Sequence, residues 1–198
     1  MSAAASSSSS PLVAGKAPNN DNDDGSDKPT TREKLPKLSD AELRIYNKTA
    51  MNMNAFHNHF REQWNTLYSA CTAARRPPGY SIRQFINYGL EFCGGLGLHH
   101  SIEEEHIFPI LAKRMPAFRK ELELLTQHKQ IHVGLDKLEL YLEQCRTGER
   151  ELRLEEMKEI MDSFGKVLWE HLDDEVRELG AEEMRKYWTP AEMRRIPL

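Results

Sequence analysis

The 198-residue chain has little of what defines several large classes of protein. Its three cysteines, Cys71, Cys93 and Cys145, form no C-x-x-C pair, which argues against a disulfide framework and a thiolate zinc site. No apolar run reaches the roughly 18 residues of a membrane-spanning helix. A net charge of −4 offers no broad basic surface, so neither nucleic acid nor an anionic membrane is an expected partner.

The N-terminal sequence also lacks the signatures of targeting segments. It has no basic region followed by an apolar stretch, as a signal peptide would have. No arginine precedes Arg32, whereas mitochondrial presequences are rich in arginine. We therefore expect a soluble cytoplasmic or nuclear protein with reduced thiols, and take the cytoplasm as the location.

The first part of the chain is poor in apolar residues and rich in Ser, Ala, Pro, Asn and Asp. Leu12 and Val13 are its clear apolar anchors before Leu35. Such a segment buries too little surface to offset the entropy lost on ordering. We expect residues 1–37 to form a disordered leader and residues 38–198 to form the folded domain.

The rest of the chain contains four long stretches whose apolar residues recur at helical spacing. The first begins at Ser39, where Glu42 completes a capping box, and ends before Pro77; one helix or two in succession fit this stretch. The next three helices are expected over residues 81–113, from soon after 116 to 145, and over 152–179. Four amphipathic helices with short connections predict an all-α, up-down-up-down four-helix bundle. A further capping motif, Thr189-Pro190-Ala191-Glu192, predicts a short closing helix.

The second helix contains residues that disfavour regular helix. Gly94, Gly95 and Gly97 indicate either a close helix approach or bulge, or a helix that breaks and restarts there. Pro109 should bend the last turn, because it lacks a backbone N–H and clashes with the preceding turn.

Seven polar side chains share the apolar faces of these helices. Residues four apart lie one turn apart on the same face, so the histidines and glutamates at this spacing point inward together. A lone inward histidine is commonly a hydrogen-bonded core residue. Five imidazoles and two carboxylates without a cation would instead strand several donors and acceptors. The predicted metal ligands are His57, His99, Glu103, His128, His132, His171 and Glu175.

The ligand types and their number indicate which ions the site would hold. Imidazole and carboxylate suit iron, manganese or zinc, and seven ligands exceed the roughly four to six that one ion takes. Two ions that share both carboxylates and a bridging oxygen are therefore expected. Their combined positions, about twelve, leave about one for a small molecule.

The His-x-x-x-Glu spacing of the second helix occurs twice, shifted by one residue. His100 and Glu104 have the spacing of His99 and Glu103 one step around the helix, but the apolar stripe favours the latter pair. Two interpretations are open for His100, Glu104 and His106: they contact the ligands from outside, or they face solvent.

These motifs together resemble the hemerythrin or HHE cation-binding domains, especially their fungal members. The resemblance covers about Met51 to Leu179. It implies a non-haem di-iron centre with the five histidines as terminal ligands and Glu103 and Glu175 as bridges. It also implies a small diatomic or peroxide-like ligand. It rests on Phe56-His57-Asn58, His99-x-x-x-Glu103-Glu104, Ile107-Phe108-Pro109, His128-x-x-x-His132 and His171-x-x-x-Glu175.

Two departures shape the functional hypotheses. Oxygen-carrying hemerythrins usually have Asp five residues after the last histidine, whereas this chain has Val176; Glu175 resembles the HHE branch, with its regulators and iron or nitric-oxide handling proteins. Only Glu103-x-x-His106 fits the Glu-x-x-His motif that other di-iron bundles use twice. The leading hypothesis is a di-iron protein that binds or senses oxygen, a related small ligand or iron. The alternatives are a di-iron oxidoreductase using oxygen, peroxide or nitric oxide, and a structural zinc or manganese bundle.

Overall fold

A computed structural model gives the structure of residues 35–119 and 123–197. Most of this part is helical, and no β-strand occurs within these ranges, so the all-α prediction is confirmed. The predicted leader, residues 1–37, lies outside the described residues except for 35–37. The elements in chain order are α1 (Asp40–Thr72), α2 (Ile82–Ile102), a π-helical turn (Glu103–Ile107), α3 (Phe108–Leu111), a 3₁₀ turn (Pro116–Phe118), α4 (Glu123–Thr147), α5 (Leu154–Glu178), α6 (Ala181–Met184) and α7 (Pro190–Met193).

The helix starts follow the capping motifs of the sequence. The Ser39 hydroxyl accepts from the Glu42 N–H while the Glu42 carboxylate accepts from the Ser39 N–H, and Ser81 and Thr189 form the same box. Each box satisfies backbone donors that a helix leaves unpaired. α1 is one continuous helix of 33 residues, which settles whether one or two helices fill that stretch.

The four long helices form a ring in the order α1, α2, α4 and α5. Each helix packs on the two that precede and follow it, and α5 closes the ring on α1. Helices that are neighbours in both sequence and space give the expected up-down-up-down bundle. No helix in residues 35–119 or 123–197 combines the length and apolarity needed to cross a membrane.

The interior contains two separate apolar clusters. One lies towards the connection between α1 and α2 and includes Trp64, Phe92 and Phe164. The other joins the start of α1 to the C-terminal elements and includes Met53 and Phe118. On the long helices, most of the predicted metal ligands lie between these two clusters.

Close packing depends on glycines other than those singled out in the sequence. A Cβ on Gly134 would lie 2.4 Å from Phe164, whereas one on Gly94 would meet no atom within 4 Å. α2 continues through Gly94, Gly95 and Gly97 without a break, and its irregular turn begins at Glu103. The expectation of a bulge or a break at these three glycines is therefore wrong.

The C-terminal elements cover the end of the bundle that contains the second cluster. Arg114 makes two bonds to the Glu192 carboxylate, at 2.8 and 3.0 Å, and lies 4.7 Å from the centre of the Trp188 ring. Tyr46 Oη donates to the Trp188 carbonyl at 2.9 Å. These contacts fix the short closing helix that the Thr189 motif predicts.

Substitution of Gly134 tests how tightly α4 and α5 are packed. Gly134→Ala forces a methyl group against the anchored part of Phe164 and should lower the free energy of unfolding by about 1–3 kcal/mol. Gly94→Ala, in open space, should raise it by up to about 1 kcal/mol. Urea unfolding of both variants measures the difference, and an equal effect at the two positions would contradict this packing.

Candidate metal centre

A band of buried polar side chains separates the two apolar clusters. Its side chains come from all four long helices and from the π-helical turn. The relative exposure of six of them is 0 or 1%, and the seventh, His99, has 12% of its side chain exposed. The seven are His57, His99, His100, Glu103, His128, His171 and Glu175.

His57 on α1 has a defined tautomer. Its Nδ1 lies 2.9 Å from the Leu172 carbonyl oxygen on α5. Because a carbonyl only accepts, Nδ1 carries the proton and Nε2 carries the lone pair. That Nε2 has no hydrogen-bond partner and lies 3.4 Å from Glu175 Oε2. It is therefore an electron-pair donor that points into the band.

His128 and His171 are held in the same tautomer. His128 Nδ1 donates to Glu104 Oε1 at 2.8 Å, and His171 Nδ1 donates to Gln127 Oε1 at 3.3 Å. The Gln127 amide is oriented in turn, because its Nε2 donates to Asp174 Oδ2 at 3.0 Å. In these tautomers the Nε2 atoms of both histidines carry lone pairs, and they lie 3.0 Å apart. A shared cation would accept both lone pairs.

The two glutamates of the band have no hydrogen-bond donor. All four carboxylate oxygens of Glu103 and Glu175 are buried without a partner. Burial, followed by the nearby charge of Glu175, raises the pKa of Glu103 well above its ordinary value. An ionised carboxylate sealed in this way costs several kcal/mol unless a positive charge accompanies it. The donor set therefore fits cations.

Burial also keeps the histidines in the form that binds metals. It lowers the pKa of His99 to about 3, with His57 and His128 adding to the effect. Burial and neighbouring imidazoles hold the pKa values of His100 and His171 well below the ordinary range. For His128, burial lowers the pKa although the bond to Glu104 opposes the shift. These four imidazoles are neutral at pH 7, as coordination requires.

The candidate ligands fall into two groups, and in each group the ligand atoms lie within 4.8 Å of one another. The first ligand group is His57, His99, Glu103 and Glu175; the second ligand group is His100, Glu103, His128 and His171. Glu103 belongs to both. The Glu175 Oε2 atom lies 3.4 Å from His57 Nε2 and 3.6 Å from His171 Nε2, so it too contacts both groups. The carboxylates are thus placed where bridging ligands would be.

Six of the seven ligands predicted from sequence meet in these two groups. His132 does not: its side chain is only half-buried, and its ring lies edge-on to His100 with 5.3 Å between centroids. The second ligand group contains His100 in its place. His132 as a ligand stays a prediction, although the geometry favours His100.

His100, for which solvent exposure was one open interpretation, is buried. It is 0% exposed, stacks on His128 at 3.9 Å, and has two unpartnered ring nitrogens. Adjacent helical residues lie 100° apart, so two of them can flank a site that is wide enough for two ions. The sequence signal for this was the pair His100 and Glu104, which repeats the spacing of His99 and Glu103. Glu104 contacts His128 from outside, as one interpretation proposed, whereas His106 is exposed.

A π-helical turn positions the carboxylates of α2. The Phe108 N–H donates to the Glu103 carbonyl, five residues back, in place of the usual four. Pro109 has no N–H to donate and its ring crowds the carbonyl of Glu105, so regular helix is disfavoured here. The distortion predicted from Pro109 therefore appears in the turn before it, beside Glu103 and Glu104.

The comparisons with known proteins agree with this geometry. The profile of the Hemerythrin HHE cation binding domain matches residues 51–182, so the chain belongs to that family. A curated relative from Cryptosporiopsis sp. (strain 8999), "Dimeric xanthone biosynthesis cluster protein R11", is 27% identical over 153 residues. The match covers 72% of this chain but 55% of the relative, so the chain spans about half of that protein's length. No solved structure matches the chain significantly.

Unfolding of the metal-free protein should depend steeply on pH. His99, His100, His128 and His171 have lowered folded pKa values, so the unfolded chain takes up protons that the folded chain excludes, and stability falls as the pH drops below about 6.5. Glu103 has the opposite effect on the free energy of unfolding at pH values above its unfolded pKa. Its folded pKa is raised, so the folded chain keeps a proton that the unfolded chain releases. Because four imidazoles oppose one carboxyl, the free energy of unfolding should fall on balance as the pH drops from about 6.5 towards 4.5. Urea unfolding after chelation measures this slope; stability that is flat or rises on acidification would contradict it.

Leucine variants test which neighbouring histidine binds metal. His100→Leu removes both nitrogens at similar volume and should eliminate one of about two tightly bound ions. His132→Leu, the matched control, should retain both. Metal content after dialysis, measured by emission spectrometry, decides between them. Loss of an ion only from His132→Leu would show that the geometric grouping is wrong.

Proposed function

We propose that this chain is a non-haem di-iron protein that binds or senses oxygen, a related small ligand or iron itself. The observation that carries the proposal is the set of four buried carboxylate oxygens without a donor, surrounded by imidazole lone pairs. Nitrogen and oxygen ligands of this kind suit iron, zinc and manganese. Membership of a cation-binding family adds to the argument.

The thiols of the chain take no part in either group. Cys71 and Cys93 are buried in the apolar cluster that contains Trp64, and burial raises the pKa of both. A thiol kept protonated is a poor ligand, because metals bind the thiolate. Within residues 35–119 and 123–197 the site therefore supplies imidazole and carboxylate alone, which disfavours a closed structural zinc site.

The two groups differ in a way that indicates where a small ligand binds. Besides the carboxylates, the first ligand group supplies two imidazoles, from His57 and His99, whereas the second supplies three. His99 is also the one imidazole of the set with an exposed fraction. The open position is therefore best placed in the first ligand group, beside His99. Bound iron would supply the redox change and this coordination position.

Groups outside the two ligand groups hold the histidines in place through hydrogen bonds to their Nδ1 atoms. The Leu172 carbonyl, the Glu104 carboxylate and the Gln127 amide fix three imidazole tautomers before any ion binds. Such outer partners commonly change metal affinity by about 10- to 100-fold when they are removed. The apolar clusters on both sides exclude water, which strengthens the attraction between the carboxylates and a cation.

A second candidate function is an oxidoreductase that uses oxygen, peroxide or nitric oxide on an organic substrate. One observation favours it: an apolar cleft opens beside His99 and Glu103 and would admit more than a diatomic molecule. The relative's assignment to a xanthone biosynthesis cluster is consistent with this class. An enzyme would consume an added organic substrate together with oxygen, whereas a carrier or sensor would release its ligand unchanged.

Iron loading with spectroscopy tests the proposed function. Protein loaded anaerobically with ferrous iron should hold about two ions per chain and gain visible charge-transfer bands with oxygen that disappear under vacuum. Glu103→Gln removes a shared carboxylate and should abolish both properties. Glu105→Gln, an exposed neighbour, is the matched control and should leave them unchanged. Less than one ion per wild-type chain would contradict the proposal, and irreversible oxidation coupled to substrate turnover would favour the enzyme.

A further inference from the structure

An apolar cleft lies between α1 and α2 on the side of the first ligand group. Its volume is about 650 Å³, which falls in the range of sites for drug-sized molecules. α1 contributes Phe56 and Phe60, and α2 contributes Leu98, His99 and Ile102. The cleft is thus built on two long helices that also carry candidate metal ligands.

The walls of the cleft present large apolar side chains to solvent. Phe56 is 55% exposed, Leu98 63% and Ile102 46%. Single exposed apolar residues are common, but three on one concave surface form a patch of the kind that marks a binding site. A bound apolar molecule would remove these side chains from water, which is favourable.

The floor of the cleft is polar. Glu103 is 1% exposed, and its Oε1 lies 3.0 Å from His99 Nε2. Neither oxygen of Glu103 makes a hydrogen bond, nor does His99 Nε2. The His99 ring is flanked by Phe56 and Phe60, with centroids 5.8 and 5.2 Å away. The cleft therefore continues from exposed apolar walls to the edge of the metal centre.

The charges around the cleft restrict its occupant. No lysine or arginine is among the described residues that line it, and its polar members are Asn52, His99 and Glu103. An anionic molecule would find no cationic partner there. A protein surface would cover the walls but leave the polar floor unpartnered, because the floor lies at the bottom of a concave site.

We propose that this cleft binds a neutral aromatic organic molecule, with its polar end towards His99 and Glu103. Phe56 and Phe60 supply rings for offset or edge-to-face contacts, and Leu98 and Ile102 close the outer wall. The inference goes beyond the small ligand of the proposed function, since the apolar contacts do not require iron. The inference rests on the proposed metal centre in one respect only, namely which groups meet the polar end of the bound molecule.

The fluorescent probe N-phenyl-1-naphthylamine, which is neutral and aromatic, tests the cleft directly. Titrated into the full chain without metal, it should saturate at about one site per chain. Leu98→Glu places a charge in the wall and should weaken binding at least about tenfold. Leu140→Glu, at a leucine of α4 that is 61% exposed, is the matched control and should leave the affinity unchanged.

The outcomes separate this inference from the proposed function. Probe binding that Leu98→Glu weakens, in a chain that takes up no iron when iron is supplied, would support the cleft and overturn the di-iron proposal. In iron-loaded protein the probe should shift the visible bands, and the shift should disappear in Leu98→Glu. Absence of saturable binding, equal weakening by both variants, or a dimer that Leu98→Glu dissociates would overturn the inference.

Discussion

The structure depends on two carboxylates sealed in a helical bundle without a hydrogen-bond donor. Glu103 and Glu175 lie between two apolar clusters, and none of their oxygens accepts a hydrogen bond. Removal from water favours the uncharged form, as the raised pKa of Glu103 reflects. A bound cation can offset the charge of the carboxylates. The neutral imidazoles nearby favour it as well, because their lone pairs can coordinate it. A protein with this interior is built to hold cations.

The arrangement is prepared from outside the two ligand groups. His57, His128 and His171 each donate through Nδ1 to a fixed acceptor, so each Nε2 is free before an ion arrives. Two such atoms, on His128 and His171, lie 3.0 Å apart. Metal binding and stability are linked, because folding brings these donors together. The apolar cleft beside His99 lies on one side of this interior.

The sequence predicted much of the fold because local signals agreed with the global pattern. Ser39, Ser81 and Thr189 each begin a helix with the expected capping box, and four amphipathic stretches form the expected bundle. Helical period also located most of the candidate site, since residues four apart share a face. The helical period could not place His100 inside the bundle. It identifies the centre of the buried face of a helix, but it does not show how wide the site on that face is. The π-helical turn was missed for a related reason: Pro109 indicates a lost hydrogen bond, but packing decides which turn absorbs it.

Anomalous diffraction at the iron absorption edge, from crystals of iron-loaded protein, tests the central claim most directly. We expect two peaks on opposite sides of Glu103, one next to His57 and His99, the other next to His128 and His171. A single peak away from the carboxylates, or a Glu103 that turns to solvent with no ion beside it, would contradict the claim that these groups exist to share cations.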